Sequence, residues 1–508
     1  MNYTPVTGVW EVTMGCNMRC KHCGSGCAQP LPDELNTAEA LDLCDQIADL
    51  GLRWITLSGG EPFIRKDWPQ LVKRLRDRGV VPNIISNGWL CREKVLQQAK
   101  EAGVGTIAIS LDGLEENHDF MRKKGSYSRV VRALGMMRDL GITSGVITTI
   151  SRRNLPELDG LKETLIGLGV RYWQIQIGLP MGNFAHNPEM IIAPKEVDAV
   201  IDFAYQHVED DRISIYPADC VGYYSQRELV VRQKAHRTTT PPAWQGCNAG
   251  KRSLGILHNG DILGCTSIRD RRFIEGNVRE RRLREIWESK NAFLWNRALR
   301  KNDLKGHCKT CQYGDLCLGG CPNTRLTMNG ALHSENQYCS YNVALRQAEE
   351  RLCGEQDVAE LIAMARNFAA KSELQLASLT LDRALALEPD NADLLRLSGY
   401  VNFTLGNLEE CRDANERILA HVPDDAYANK GMGLAMHRLG QTDRGIEYLR
   451  KAVDCAGVHD LDPYYDLAVV YLEAGRRDEA RTVLETAKQL SPRFVGENLA
   501  LYQAVTAG

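Results

Sequence analysis

From Thr37 to Ile177 the sequence alternates between helically spaced apolar stretches and short β-branched runs, and this alternation narrows the fold more than any other feature. Thr37–Leu50 reads as an amphipathic helix, with Ala40, Leu41, Cys44, Ile47 and Ala48 on one side. Helices are likewise expected at Trp68–Arg78, Glu93–Ala102, Ser128–Leu140 and Leu155–Leu168. Between them, strands are expected at Trp54–Leu57, Asn83–Ile85, Thr106–Leu111, Ser144–Ile150 and Tyr172–Ile177. A βα unit repeated about six times predicts an α/β domain with a parallel sheet, barrel-like or doubly wound. In such folds the chemistry sits at the C-terminal ends of the strands.

Those ends carry small polar residues: Gly59, Gly60 and Glu61 after one strand, Ser86 and Asn87 after the next, Ser110 and Asp112 after a third. Glycines let a ligand approach the backbone, and the polar side chains suit a polar cofactor. Plain βα turns favour the same residues. Upstream, Cys16, Cys20 and Cys23 are spaced C-x3-C-x2-C. A four-iron cluster normally takes four thiolates, so three close ones leave one iron open. A zinc knuckle would pair C-x2-C with a second such pair or with histidines, and none follows nearby.

Cysteine triad and a strand ending in Gly-Gly-Glu-Pro together resemble the radical S-adenosylmethionine (SAM) enzymes. That resemblance implies a partial (β/α)6 TIM-like barrel over residues 1–235, with a [4Fe–4S] cluster on Cys16, Cys20 and Cys23. SAM would chelate the open iron, with Gly59–Glu61 holding its methionyl amine, Ser110 meeting its carboxylate and Arg122 neutralising that carboxylate. Ser86, Asn87 and Asp112 complete the expected SAM-binding set. His22 stands before the third cysteine, where an aromatic carbocycle is common in the family, and is read as packing beside the cluster. The implied chemistry is the cofactor's own: one electron cleaves SAM to methionine and a 5′-deoxyadenosyl radical, which abstracts hydrogen from an unactivated C–H.

A second cysteine string spans residues 236–352: Cys247, Gly260, Cys265, Cys308, Cys311, Cys317, Cys321 and Cys339. C-x2-C alone could belong to a zinc ribbon. The whole string resembles the SPASM extension of radical SAM enzymes, a small cysteine-rich α+β domain with two auxiliary [4Fe–4S] clusters, making three clusters in all. By that resemblance Cys308, Cys311, Cys317 and Cys339 hold the distal cluster, and Cys247, Cys265 and Cys321 the nearer one. Sulfatase-maturing relatives supply a further cysteine shortly before the first; here Thr240–Gly246 contain none. Cys220 is the nearest upstream candidate, as fourth ligand, as hydrogen donor to a substrate radical or as a plain buried thiol.

Sulfatase maturases carry an acidic base after the second cysteine of this string, and Thr266 in that place disfavours their activity. The stretches Trp244–Gly250 and Leu254–Ile256 resemble maturases of ribosomally made peptides (RiPPs). A precursor peptide or protein is therefore the expected substrate, with a flavodoxin or ferredoxin as electron source. Fifteen residues precede Cys16, too few for a winged-helix leader-binding domain, so leader recognition is expected elsewhere or from a separate protein. Oxidative cross-linking (thioether or C–C) and epimerisation with Cys220 as donor both remain open. Net charge of −3 gives no case for nucleic acid or anionic membrane. No signal peptide and no apolar run of roughly 18 residues is present. Seventeen cysteines then fit a reducing cytoplasm.

After Cys353 the cysteines thin out and a period of 34 to 35 appears: Gly406, Gly440 and Gly475, with Lys371 at the same phase. Residues 353–508 thus resemble an all-α tetratricopeptide-repeat (TPR) domain of about four helix pairs, presenting a groove for the peptide or a surface for a partner. Tyr427, Asn429, Tyr464, Tyr465 and Asp466 fall near groove-lining phases. A non-catalytic scaffold with structural clusters is the rival from another class; it predicts no SAM binding.

Overall fold

The structure, a computed structural model, describes residues 3–218, 220–239, 245–457 and 460–506. Trp244 and the rest of residues 240–244 lie outside the described residues, as does Asp219 beside Cys220. Contacts divide the chain into two compact units: residues 1–309 with 313–343, and residues 310–312 with 344–508.

In the first unit seven strands, β1 (Thr7–Thr13), β2 (Trp54–Gly59), β3 (Val81–Ser86), β4 (Ile107–Ser110), β5 (Ser144–Ile150), β6 (Tyr172–Ile177) and β7 (Ser214–Pro217), pair in chain order, all parallel. Helices α1 (Thr37–Leu50), α2 (Trp68–Asp77), α3 (Glu93–Ala102), α4 (Glu115–Met121), α5 (Ser126–Asp139), α6 (Leu158–Gly167) and α7 (Val197–Gln206) make the crossovers. This is the parallel sheet expected from the βα alternation, and of the two forms that alternation left open it is the partial barrel implied by the family resemblance. On the strands one alternation is fully buried and apolar (Ile55, Leu57, Ile84, Ile109, Trp173, Ile175) against the helices. The other is partly exposed and mostly polar (Thr56, Ser58, Asn83, Ser110, Thr149, Gln176). The parallel sheet thus keeps one face for its core and one for an interior.

Three further strands extend the sheet: β8 (Ser253–Ile256) runs parallel to β1, and β9 (Asp261–Leu263) and β10 (Gly276–Asn277) follow antiparallel. Gly260, at φ 88°, makes the turn between β8 and β9; a side chain there would meet Val278 at 2.7 Å. The cysteine-rich region therefore grows out of the same sheet as the barrel.

The second unit contains four antiparallel helix pairs, Val358–Ala370 with Leu374–Leu387, Ala392–Leu405 with Leu408–His421, Ala426–Arg438 with Thr442–Cys455, and Asp462–Glu473 with Arg477–Leu490. Gly406, Gly440 and Gly475 close the first helix of their pairs in the left-handed conformation. In the first pair that conformation falls on Ser372, at φ 60°, one residue beyond the expected Lys371. Asn429 is not a groove residue: it is wholly buried and donates to Pro423 O (3.0 Å) and Asp425 O (2.9 Å). Tyr427 and Tyr465 are exposed, Tyr464 and Asp466 half-buried. Among the described residues no helix is long and apolar enough to cross a membrane.

Candidate active site

A bulge at the end of β1 shifts its register on β2 between Glu11 and Thr13, and the chain then turns into the loop of Cys16, Cys20 and Cys23. Gly60 N donates to Thr13 O (2.7 Å) and Glu61 N to Gly15 O (2.8 Å). A Cβ on Gly59 would lie 2.3 Å from Thr13 O, and one on Gly60 would lie 2.0 Å from Gly15 O. The double glycine therefore lets the β2 end pack against the backbone of the cysteine loop. Lys21 N donates to Met121 O (2.8 Å) and Asn183 Nδ2 to Cys20 O (3.0 Å), tying the loop to α4 and to the segment after β6.

Glu61 is fully buried and accepts from Ser86 Oγ (2.9 Å), Asn87 N (2.8 Å) and Phe63 N (3.3 Å). Burial raises its carboxyl to about 7, against the pull of those hydrogen bonds and of Arg122. Asn87 in turn donates through Nδ2 to Asn17 Oδ1 (2.7 Å), with Cys16 Sγ at 3.8 Å. Ser86 and Glu61 thus brace Asn87, and Asn87 reaches the loop.

Asp112 follows β4. Its carboxylate takes the Arg122 guanidinium, His22 Nε2 (3.0 Å) and Thr149 N (2.8 Å). Burial opposes its ionisation, yet Arg122 and His22 hold it well below the usual carboxylate range. Arg122 extends Nη1 to 3.9 Å from Cys20 Sγ. Asp112 is therefore placed as the positioner of Arg122 and His22, and Arg122 faces the cysteine loop with its charge already shared. His118 accepts from Asp112 N (3.1 Å); burial, then Arg122, lowers its imidazole to about 4, so it is neutral at pH 7. Ser110 ends β4 on the half-exposed alternation.

The donor set fits an iron–sulfur cluster. Three thiols share one loop, with an amide and a guanidinium directed at two of the sulfurs, the hydrogen bonding that tunes such clusters. Among the described residues Asn17 Nδ2 and His22 Nδ1 are buried with no hydrogen-bond partner, as polar atoms kept for a bound group would be. Burial pushes the Cys20 thiol up to about 11, and a metal would be required to deprotonate it. Cys23 goes the other way, to about 5, because Cys27 hydrogen-bonds it. Cys27, four residues beyond the triad and buried, was not singled out by its spacing. Glu34 was also missed: it accepts from Met14 N (2.7 Å) and Leu31 N (3.0 Å) and fastens both ends of the loop.

In the cysteine-rich region, burial raises the Cys265 thiol, which accepts from the Ser267 and Ile268 backbones and the Ser267 hydroxyl. Cys308 is buried and accepts from Asn342 Nδ2 (3.3 Å). Cys247 accepts from Ala249 N (3.4 Å), and Cys339 Sγ lies 3.8 Å from Tyr223 O. Cys311 and Cys317 are buried. Cys220, half-buried, packs on the barrel core and, with Cys321 and Cys317, acts on the buried phenol of Tyr223.

A family model described as the radical SAM superfamily matches residues 10–165, and one described as an iron–sulfur cluster-binding domain, SPASM, matches residues 247–312. Over 347 residues the chain is 30% identical to the AdoMet-dependent heme synthase of Nitratidesulfovibrio vulgaris, covering 65% of this chain and 91% of that protein. The chain belongs to the radical SAM/SPASM family. Another family member, the mycofactocin maturase MftC of Mycolicibacterium smegmatis, is 28% identical over 328 residues, 62% of this chain and 78% of that one. The radical SAM fold is shared with anSMEcpe, solved with bound AdoMet and Cp18Cys peptide, at TM-score 0.54 and 17% identity over 68% of this chain and 97% of that one. Tetratricopeptide-repeat models match residues 362–420 and 461–494 of this radical SAM protein. SAM and iron–sulfur clusters are its cofactors.

Proposed function

We propose that this radical SAM protein modifies a precursor peptide. Cys16, Cys20 and Cys23 would hold the SAM-binding [4Fe–4S] cluster, with Gly59–Glu61, Ser110 and Arg122 about the methionyl end of SAM. Bound there and reduced by a flavodoxin or ferredoxin, SAM supplies a 5′-deoxyadenosyl radical that takes hydrogen from carbon. What the chain contributes is position and exclusion of water: the half-exposed barrel face holds the substrate beside the strand ends.

One observation carries the choice of a peptide. None of the strands β1–β7 bears Lys or Arg, and the one acid on them, Glu11, is ion-paired with Arg269. An interior of Thr, Ser, Asn and Gln suits the neutral amides of a peptide. A porphyrin with ionised carboxylate arms would ask for cations. The likeness to a heme synthase favours that second reading, and the likeness to MftC the first. A repeat unit with exposed Tyr400, Tyr427 and Tyr465 adds a surface on which a peptide could dock.

For the nearer auxiliary cluster we assign Cys220 as the fourth thiol beside Cys247, Cys265 and Cys321, on the strength of its place at Tyr223, whose hydroxyl accepts from Cys321 N (3.0 Å). Cys308, Cys311, Cys317 and Cys339 would take the distal cluster. The deciding experiment gives reduced, iron-loaded protein and SAM either a short peptide encoded in a neighbouring reading frame or an iron porphyrin. Peptide product lighter by about two daltons means cross-linking or desaturation; unchanged mass with about one dalton gained per site in heavy water means epimerisation. Turnover of the porphyrin alone overturns the peptide reading.

A further inference from the structure

Arg325 lies in helix Pro322–Asn329, is 1% exposed, and is among the largest fully buried side chains. A cation so placed requires an anion. Among the described residues no carboxylate pairs with it. Its guanidinium donates through Nη1 to Leu332 O, and its Nε is buried with no hydrogen-bond partner. Burial disfavours its charge, and the leading groups that favour it are cysteines, Cys308, Cys321, Cys247 and Cys317, each when ionised; Arg325 N also donates to Cys321 O (3.3 Å).

These four come from both auxiliary ligand sets, Cys308 and Cys317 from the distal one and Cys247 and Cys321 from the nearer one. The link between Cys317 and Cys321 is itself shaped around the guanidinium. Leu318, Gly319 and Gly320 are all left-handed, with φ of 51°, 75° and 65°. A Cβ on Gly319 would press on Arg325 Cζ at 3.1 Å, and one on Gly320 on the Tyr223 ring at 2.7 Å. At Gly319 and Gly320 the backbone joining the two sets therefore runs between Arg325 and Tyr223.

We propose that Arg325 is the shared counter-charge of the two auxiliary iron–sulfur centres and sets their potentials together. The proposal rests on the reading that both centres are present. An iron–sulfur centre on thiolates gains negative charge on reduction, and net charge and hydrogen bonds to sulfur are what fix its potential. A buried guanidinium beside both sets favours the reduced form of each. Electrons removed from substrate could then be accepted by either centre at matched cost.

The test is potentiometric titration of the auxiliary signals by electron paramagnetic resonance in iron-loaded full-length protein, comparing wild type, Arg325→Met and Arg325→Lys. Arg325→Met should weaken the electron affinity of both centres at least tenfold, a fall of about 59 mV for one electron, and Arg325→Lys should recover most of it. Unchanged potentials in Arg325→Met, or a Lys variant no better than Met, overturn the proposal. Should Arg325→Met fail to load iron, heat unfolding of the iron-free chain decides. Without clusters the cation is an unpaired buried charge, so Arg325→Met should unfold no earlier than wild type. Earlier unfolding marks a structural residue and overturns the proposal. Wild type that binds about eight irons per chain or fewer, against about twelve for three four-iron clusters, refutes the two-cluster reading itself, and is seen before any variant is made.

Discussion

At the scale of single residues, Gly60 and Glu61 carry the most geometry. A methyl group at Gly60 has backbone oxygen 2.0 Å away and nothing flexible to displace. Gly60→Ala should therefore prise β2 from the cysteine loop, lowering the unfolding temperature and the iron bound per chain. Glu61 makes a prediction about pH. Burial holds its folded carboxyl at about 7, against an ordinary value of 4.5. Between those values the folded chain binds more protons than the unfolded one, so stability falls as pH rises through the window. Iron-free protein should lose a few kcal/mol between pH 4.5 and 7, at roughly 1.4 kcal/mol per unit at most. Glu61→Gln should flatten that part of a denaturant-midpoint profile. A profile unchanged by the substitution would show that Glu61 is not the group responsible.

At the scale of elements, the strand ends and the repeat turns follow different rules. Each repeat closes its first helix with a left-handed residue, because the last carbonyls need that turn to be capped. Three repeats use glycine there, and the first uses Ser372 at φ 60°. A non-glycine residue in that conformation costs about 1–2 kcal/mol. Ser372→Gly should raise the midpoint of heat unfolding, and Gly440→Ala should lower it by a similar free energy. No change in either variant would mean the strain is relieved elsewhere. Helix α4 is the element least visible beforehand. It has seven residues, EENHDFM, with three acids and no amphipathic period, and only its packing places Arg122 beside Asp112.

At the scale of the whole molecule, the proposed auxiliary clusters would set how many electrons the protein can hold. With Cys220 as fourth thiol, Cys220→Ala should lower bound iron by about four per chain and leave reductive cleavage of SAM at the first cluster in place. Iron retained in full, with loss of an epimerised product, would make Cys220 the hydrogen donor instead. Iron analysis and product mass separate these outcomes.

Much of this protein was legible in its residues. The period of apolar side chains placed α1, α3, β5 and β6 to the residue, because each buries one face against a neighbour whatever that neighbour is. Cysteine spacing marked the thiols that could share a cluster, since ligand geometry limits how far apart they fall in the chain. β1, β7 and the three strands that widen the sheet did not show, being short or interrupted by Gly and Glu. Partnership was the other gap. Ser86 bracing Glu61, His22 meeting Asp112, and Gly319 making room for Arg325 are partnerships that no local period announces. Only the folded chain brings such groups within reach, and burial then decides which charges must share a partner.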